Sequence, residues 1–281
     1  MVGKRKSKSE LSGFLLKRGI WLVFIEMTIV NFGWYFDIYF KSPGLLVIWS
    51  LGISMLVLAA LVHLPRKFIL AFSLLLIVGH NLLDTVHFKG NVFWAILHEF
   101  TFFKITDEVE FVVGYPIIPW IAVMALGYYF GAFYDKSYTG EKRKTLFSII
   151  GISALAAFVI LRFYNIYGDP VLYKDYDTTT KDLISFFNPS KYPPSLLYLL
   201  MTLGAALFFL ANTEKLKGKA VDFFSTFGRV PFFYYILHLY FIHLLALIFA
   251  EYSGFGWRIM ILQDWVTESP TLKGYGFPLW V

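Results

Sequence analysis

Residues 45–62 read LLVIWSLGISMLVLAALV, a run without a charged side chain that is nearly long enough to cross a bilayer as one helix. A transmembrane helix needs about 20 apolar residues. With six similar runs, the predicted spans cover roughly residues 19–38, 43–63, 67–86, 115–134, 145–166, 193–212 and 230–251. The sequence therefore predicts an all-α, polytopic transmembrane helix bundle of about seven spans, which forms a single transmembrane domain over residues 1–281.

The composition excludes a soluble globular protein. Of the 281 residues, 58% are hydrophobic and 16% are charged, and the mean hydropathy is +0.63. A soluble domain is about half apolar and about a quarter charged. The absence of cysteine excludes disulfides and Cys-ligated metals, and we expect no metal cofactor. The net charge of +6 points to loops at a membrane surface and not to nucleic acid.

The loop charges predict the orientation of the chain in the membrane. Lysine and arginine are concentrated in alternate segments, at residues 1–18, 64–67, 135–144 and 213–229, whereas the other loops are richer in Asp and Glu. Because basic loops stay in the cytoplasm, we expect a cytoplasmic N-terminus. The two long loops 87–114 and 167–192 then lie outside.

Two local patterns carry further structural predictions. The outer loop segment VFWAILHEFTFF, residues 92–103, is too short to span and predicts a helix that lies in the membrane interface. Gly127 and Gly131 form a GxxxG pair on one helix face, which predicts close approach of a neighbouring helix.

Ionisable side chains inside spans are costly and often functional. His80 and Asp84 are spaced i, i+4 at the outer end of the third span, so Asp84 can accept a hydrogen bond from His80 and raise its basicity. We predict these two as catalytic residues. The predicted substrate-binding residues are Asn31, Asn81, Arg162, Asn165, Lys191, Tyr192 and His243. We expect this set to line a polar cavity open to the outside.

Structural roles remain open for the same residues. His80 and Asp84 can instead be an interfacial pair that ends a helix among the headgroups. Glu26, in the first span, can be a structural hydrogen bonder. Arg229 either extends to the lipid headgroups or binds a phosphate of a cytoplasmic ligand.

Four stretches together resemble one protein family. They are GHNLLD at 79–84, YPIIPWIAVMALGY at 115–128, KYPPSLLYLLMTLG at 191–204 and GRVPFFYYILHLYFIHLLA at 228–246. In this order they resemble the heparan-alpha-glucosaminide N-acetyltransferase-like family of bacterial membrane proteins, over essentially the whole chain. The resemblance implies an acyltransferase that moves an acetyl group from cytoplasmic acetyl-CoA to a sugar-like acceptor at the outer side. A histidine would act as base or acyl carrier.

The resemblance also implies partners and a location. Arg66, Lys67 and Arg229 would bind the CoA phosphates at the cytoplasmic side. The partners would be the lipid bilayer and a small-molecule or saccharide acceptor, with a homo-oligomer left open, and the membrane would be a bacterial inner membrane. Family members usually begin with two further spans, which carry an Asp-x-x-Arg-Gly pattern and a histidine, and end with one more span. Those spans are expected to be lacking here, together with that histidine.

Two other classes of function fit the same residues. In a transporter or flippase of a small polar molecule, the buried His, Asp, Glu and Arg side chains would form the substrate or proton path. In a non-catalytic membrane assembly protein, they would only maintain the fold.

Overall fold

The structure is a computed structural model that describes residues 7–265 and 269–276. Most of these residues are helical. The α-helices are α1 Lys8–Ile25, α2 Asn31–Tyr35, α3 Val47–Leu61, α4 Arg66–Gly79, α5 Val92–His98, α6 Ile118–Phe130, α7 Gly140–Phe163, α8 Thr179–Phe186, α9 Leu196–Thr213, α10 Lys219–Arg229 and α11 Pro231–Tyr252. All seven predicted spans therefore coincide with helical segments.

Among the described residues, four helical segments are long and apolar enough to cross a membrane, namely Arg66–Leu83, Gly140–Phe163, Leu196–Thr213 and Pro231–Tyr252. Two apolar helical segments, Val47–Leu61 and Ile118–Tyr134, are shorter. The count of seven spans and the cytoplasmic N-terminus stay predictions.

The chain packs as two compact units. The first unit comprises the described residues of Met1–Ile20, Ser50–Phe100 and Tyr115–Leu216, and the second comprises those of Trp21–Trp49, Thr101–Gly114 and Lys217–Val281. The single transmembrane domain over residues 1–281 stays a prediction.

The first unit contains an antiparallel arrangement of α4, α6, α7 and α9. At one end, which we call the network end, α4 and α7 finish and α6 and α9 begin. Here the Leu196 backbone N–H at the start of α9 donates to Asn81 just after α4. At the other end, the basic end, Arg143 near the start of α7 is paired with Glu214 just after α9. The predicted alternation of direction between successive spans is therefore present in this unit.

Two glycines allow a close contact between α7 and α9 in the first unit. A Cβ at Gly151 of α7 would lie 2.8 Å from the Gly204 carbonyl oxygen and 2.9 Å from the Phe208 nitrogen of α9. The predicted approach at Gly127 and Gly131 is wrong, because a Cβ there would meet no atom within 4 Å. Both glycines instead line an open apolar groove of about 300 Å³.

We expect Gly151→Ala to lower the free energy of unfolding by about 1–3 kcal/mol, because its Cβ would overlap the backbone of α9. The matched substitution Gly127→Ala should be neutral or stabilising by about 0.5–1 kcal/mol, since alanine is the better helix former. Chemical unfolding in detergent measures both. An equal effect of the two substitutions would refute the tight α7–α9 contact.

A second prediction concerns the basic end. Glu214 Oε2 accepts from Arg143 Nε at 2.8 Å, and this hydrogen bond lowers the pKa of Glu214. A carboxyl group whose pKa is lower in the folded than in the unfolded protein stabilises the fold at pH values above its unfolded-state pKa. This stabilisation is lost as the pH falls through the folded-state pKa. Glu214→Gln should therefore lower the unfolding temperature at pH 7, and the difference from the unmodified protein should shrink as the pH falls through the folded-state pKa of Glu214. A constant difference would exclude the linkage.

The second unit contains a small sheet that the all-α prediction missed. Strands β1 Gly44–Leu45, β2 Thr101–Lys104 and β3 Glu110–Val113 have the order β1-β3-β2, with β1 parallel and β2 antiparallel to β3. The interfacial helix predicted over residues 92–103 therefore ends at His98, inside the first unit. Thr101, Phe102 and Phe103, the last three residues of the predicted segment, suit a strand and pair with β3.

The first predicted span also differs in its start. α1 is already helical at Lys8, because Leu15 packs in a core with α3 residues such as Ala59. Ser12 Oγ also donates to the Ala59 carbonyl at 2.8 Å. After α1, a π-helical turn, Glu26–Val30, leads into α2.

Candidate functional site

Asp84 lies at the centre of a polar cluster at the network end of the first unit. Its Oδ1 lies 3.0 Å from Nε2 of His98, and its Oδ2 accepts from Asn81 Nδ2 at 2.8 Å. The predicted pairing with His80 is not the one observed. After Gly79, the chain changes to a 3₁₀ turn, His80–Leu83. Three residues per turn bring i and i+3 onto one face, so Asn81 contacts Asp84 in place of His80.

His80 is held by backbone carbonyls. Its side chain is 2% exposed, with Nε2 2.9 Å from the Pro194 oxygen and Nδ1 3.0 Å from the oxygens of Leu76 and Ile77. Carbonyl oxygens only accept, so a ligand hydroxyl could reach a ring nitrogen only by displacing one of them. This geometry joins α4 to the start of α9.

His98 is the histidine that sequence reasoning missed. It ends α5, whose first turn is capped by Asn91 Oδ1, which accepts from the Trp94 backbone N–H at 3.0 Å. The ring is 2% exposed, and its Nδ1 has no hydrogen-bond partner among the described residues. The available signal was weak, because His98 stands in an aromatic loop segment 14 residues from Asp84. An imidazole oriented by a carboxylate, with its other nitrogen unpaired, can accept a proton.

The cluster continues into the start of α9. Asn81 Oδ1 accepts from the Leu196 N–H at 2.8 Å. Ser195 caps α9 by accepting from the Tyr198 N–H at 3.1 Å, and it donates to Asp169 Oδ2 at 3.0 Å. Through these bonds, GHNLLD and KYPPSLLYLLMTLG, the stretches singled out in the sequence, meet in space.

Arg162 organises the segment that follows α7. The side chain is 1% exposed, and its Nη1 lies 3.7 Å from Asp169 Oδ2. The guanidinium donates to the carbonyl oxygens of Val171 at 2.6 Å, Ser185 at 2.7 Å, Phe186 at 3.2 Å and Asn188 at 3.4 Å. Its hydrogen-bonding capacity is thus used within the protein. The structure gives Arg162 a folding role, and its predicted contact with substrate stays a prediction.

Asn165 has a similar local role. Its side chain exchanges two hydrogen bonds with the backbone of Tyr173, at 2.9 Å from Nδ2 to the carbonyl oxygen and 2.8 Å from the N–H to Oδ1. Asn165 adopts a φ of +49°, in the left-handed region that Asn tolerates. These two hydrogen bonds hold Asn165 and Tyr173 together just after the end of α7.

Lys191 and Tyr192 lie on a more open part of the first unit. Tyr192 is 46% exposed, with its ring 5.3 Å from that of Tyr115 and 6.3 Å from that of Phe100. Lys191 Nζ lies 5.0 Å from the centre of the Tyr192 ring. Burial opposes ionisation of Tyr192, but hydrogen bonds from Tyr115 and Lys191 outweigh it and lower the pKa of the phenol. This aromatic and cationic surface can contact the face and hydroxyls of a sugar.

Two predicted site residues belong to the second unit. Asn31 exchanges hydrogen bonds with Gly44 and also donates to the Glu26 carbonyl, so its amide is used to hold β1. His243 Nε2 lies 2.7 Å from the Met260 oxygen, and its ring stacks on Phe36 at 4.0 Å. His243 also lines an apolar cavity of about 310 Å³.

The predicted phosphate-binding residues are exposed. Arg66 and Lys67 form the first turn of α4 at the basic end of the first unit, and Arg229 ends α10 in the second unit. A helix N-terminus with exposed cationic side chains suits a phosphate. Within the described residues, no group of three His, Cys, Asp or Glu could hold a metal ion.

Comparison with known proteins identifies one family. The family model described as heparan-alpha-glucosaminide N-acetyltransferase, catalytic, matches residues 2–167. Searches of curated proteins and of solved structures found no match. The matched region contains His80, Asn81, Asp84, His98 and Arg162.

Proposed function

Because the chain belongs to the heparan-alpha-glucosaminide N-acetyltransferase family and has helices apolar enough to span a membrane, we propose that it is a membrane acetyltransferase that takes its acetyl group from acetyl-CoA on the cytoplasmic side. The acceptor that we propose is a sugar-like molecule at the outer side. The membrane would be a bacterial inner membrane, because the sequence motifs resemble bacterial members of the family.

The single observation that carries the proposal is the family match, and the Asp84–His98 pair supplies a chemical role. Acetyl transfer needs a base that removes a proton from the attacking amine or hydroxyl of the acceptor. The acceptor atom forms a bond to the acetyl carbon, the carbon–sulfur bond of the thioester breaks, and the thiolate leaves and takes up a proton. Asp84 orients the His98 ring, whose Nδ1 is unpaired among the described residues and would accept the proton.

The distribution of charge along α4 supports transfer across the membrane. Arg66 and Lys67 begin the candidate span Arg66–Leu83, and Asp84 follows its end. At 1.5 Å per residue, these 18 residues extend roughly 27 Å, close to the thickness of a hydrocarbon core of about 30 Å. Cationic groups suited to CoA phosphates therefore lie at one end of this helical segment, and Asp84, which orients the proposed proton acceptor His98, lies at the other.

The surface around Tyr192 supports a saccharide acceptor. Tyr115, Tyr192 and Lys191 are neighbours at the network end, where the proton acceptor also lies. Aromatic rings provide rigid apolar faces with a polar group at the edge, and the lysine adds three hydrogen-bond donors.

An assay in proteoliposomes tests the function. Labelled acetyl-CoA is supplied on one side and glucosamine on the other, and acetylated sugar is measured with time. We expect saturable CoA binding and acetylated product. Labelled glucosamine that crosses the membrane without being acetylated would favour a transporter. The absence of both acetyl transfer and CoA binding would refute the acetyltransferase.

A further inference from the structure

The helix α10 has two sharply different faces. Successive residues in a helix are separated by about 100°, which places Phe223, Phe224 and Phe227 together on one side; we call this side the phenylalanine face. The opposite side carries Asp222, Ser225, Thr226 and Arg229. Such a helix suits a boundary between apolar and polar surroundings.

The phenylalanine face is exposed. The three side chains, in sequence order, are 60%, 70% and 44% exposed. Their rings mainly contact one another, at 5.5 Å between Phe223 and Phe224 and 5.2 Å between Phe223 and Phe227, and Phe227 also lies 5.7 Å from Tyr234 of α11. A face this apolar is unfavourable in water, so a partner with an apolar layer is required.

The position of α10 in the chain identifies that partner as a lipid surface. Five residues separate the end of the candidate span Leu196–Thr213 from α10, and one residue separates α10 from the start of the candidate span Pro231–Tyr252. Its 11 residues are too few to cross a bilayer. A short amphipathic helix tied to spans at both ends is held at the height of the headgroups.

Charge near the start of α10 specifies the type of lipid. Lys217 and Lys219 are both exposed, and no ion pair joins either of them to another described residue. We propose that α10 lies flat on an anionic bilayer surface, with the phenylalanine face among the acyl chains and these two lysines on the acidic headgroups. Basic segments next to spans bind anionic lipid at the cytoplasmic leaflet in this way.

The absence of native cysteine allows a direct test. Spin labels are placed by Phe224→Cys on the phenylalanine face and by Thr226→Cys on the opposite face, in the full chain in lipid nanodiscs. We expect the label at 224 to be several-fold more accessible to oxygen, relative to a water-soluble nickel chelate, than the label at 226. Phe223→Cys provides a second label on the phenylalanine face if Phe224→Cys does not fold.

A change of lipid tests the role of charge. In nanodiscs that contain phosphatidylglycerol, Lys217→Glu with Lys219→Glu should reduce the ratio of inserted to released α10 by at least about 25-fold, or roughly fivefold for each lysine. In nanodiscs of phosphatidylcholine alone, the same variant should behave like the unmodified protein.

Three results would overturn the proposal. Equal access of the nickel chelate to both labels would place α10 in water. A label at 224 that is immobile and shielded from both reagents would show contact with a protein partner. Insertion that is independent of phosphatidylglycerol and of the two lysines would exclude the anionic headgroup as the ligand.

Discussion

Asp84→Asn and His98→Gln are each expected to lower kcat/KM for acetyl transfer by about 10²- to 10⁴-fold, the usual contribution of a general base. His98→Gln removes the imidazole that would accept the proton. Asp84→Asn removes the carboxylate that lies 3.0 Å from His98 Nε2 and orients the ring. The limb of the pH profile of kcat/KM that reports a base in the free enzyme should disappear in His98→Gln.

The chain contains a matched control for this prediction. His87 Nδ1 lies 2.7 Å from Glu99 Oε1, so it also forms an imidazole–carboxylate pair, but its side chain is 70% exposed. His87→Gln should leave the rate and its pH profile unchanged. His80→Gln should lower the unfolding temperature, because it breaks the contact between α4 and Pro194, while the pH profile of the folded fraction is retained. A normal pH profile in His98→Gln would assign the proton transfer to another group.

The second large effect is expected for Arg162→Met, which should lower the free energy of unfolding by about 3–5 kcal/mol. Methionine approximates the length of the arginine stem but donates no hydrogen bond. The substitution leaves the buried Asp169 carboxylate without its paired cation, and it leaves the carbonyl oxygens of Val171 and Ser185 without their donor. Unfolding by denaturant in detergent gives the global loss, and limited proteolysis within residues 171–188 shows whether this segment opens first.

Two further variants separate burial from charge. Lys174→Met removes an exposed cation from the same segment and should change stability by less than about 0.5 kcal/mol. Arg162→Met combined with Asp169→Asn should recover part of the loss, because no uncompensated carboxylate is then buried. Stability of Arg162→Met equal to that of Lys174→Met would contradict the role of Arg162 in folding.

Hydrophobic run length was sufficient to predict the seven long apolar helical segments, because the cost of exposing backbone and polar groups to hydrocarbon constrains every span in the same way. It did not predict the short helices Thr179–Phe186 and Lys219–Arg229. The small sheet was not predicted. Thr101–Lys104 and Glu110–Val113 are short, and their pairing with Gly44–Leu45 joins segments distant in the chain. The close α7–α9 approach at Gly151 was also missed, since a single glycine has no local signature and the actual GxxxG pair faces an open groove.

The amino-acid sequence by itself determined that this is a membrane protein with polar residues at the end of the apolar run that precedes Asp84, and its motifs indicated the family. The tertiary structure alone decided which histidine meets Asp84. The 3₁₀ turn after Gly79 directs His80 to the Pro194 carbonyl, and the fold of a separate loop brings His98 to the carboxylate. The physical reason is that spacing predicts side-chain contacts only while the helix keeps its pitch, whereas a contact across a loop depends on how the whole chain packs.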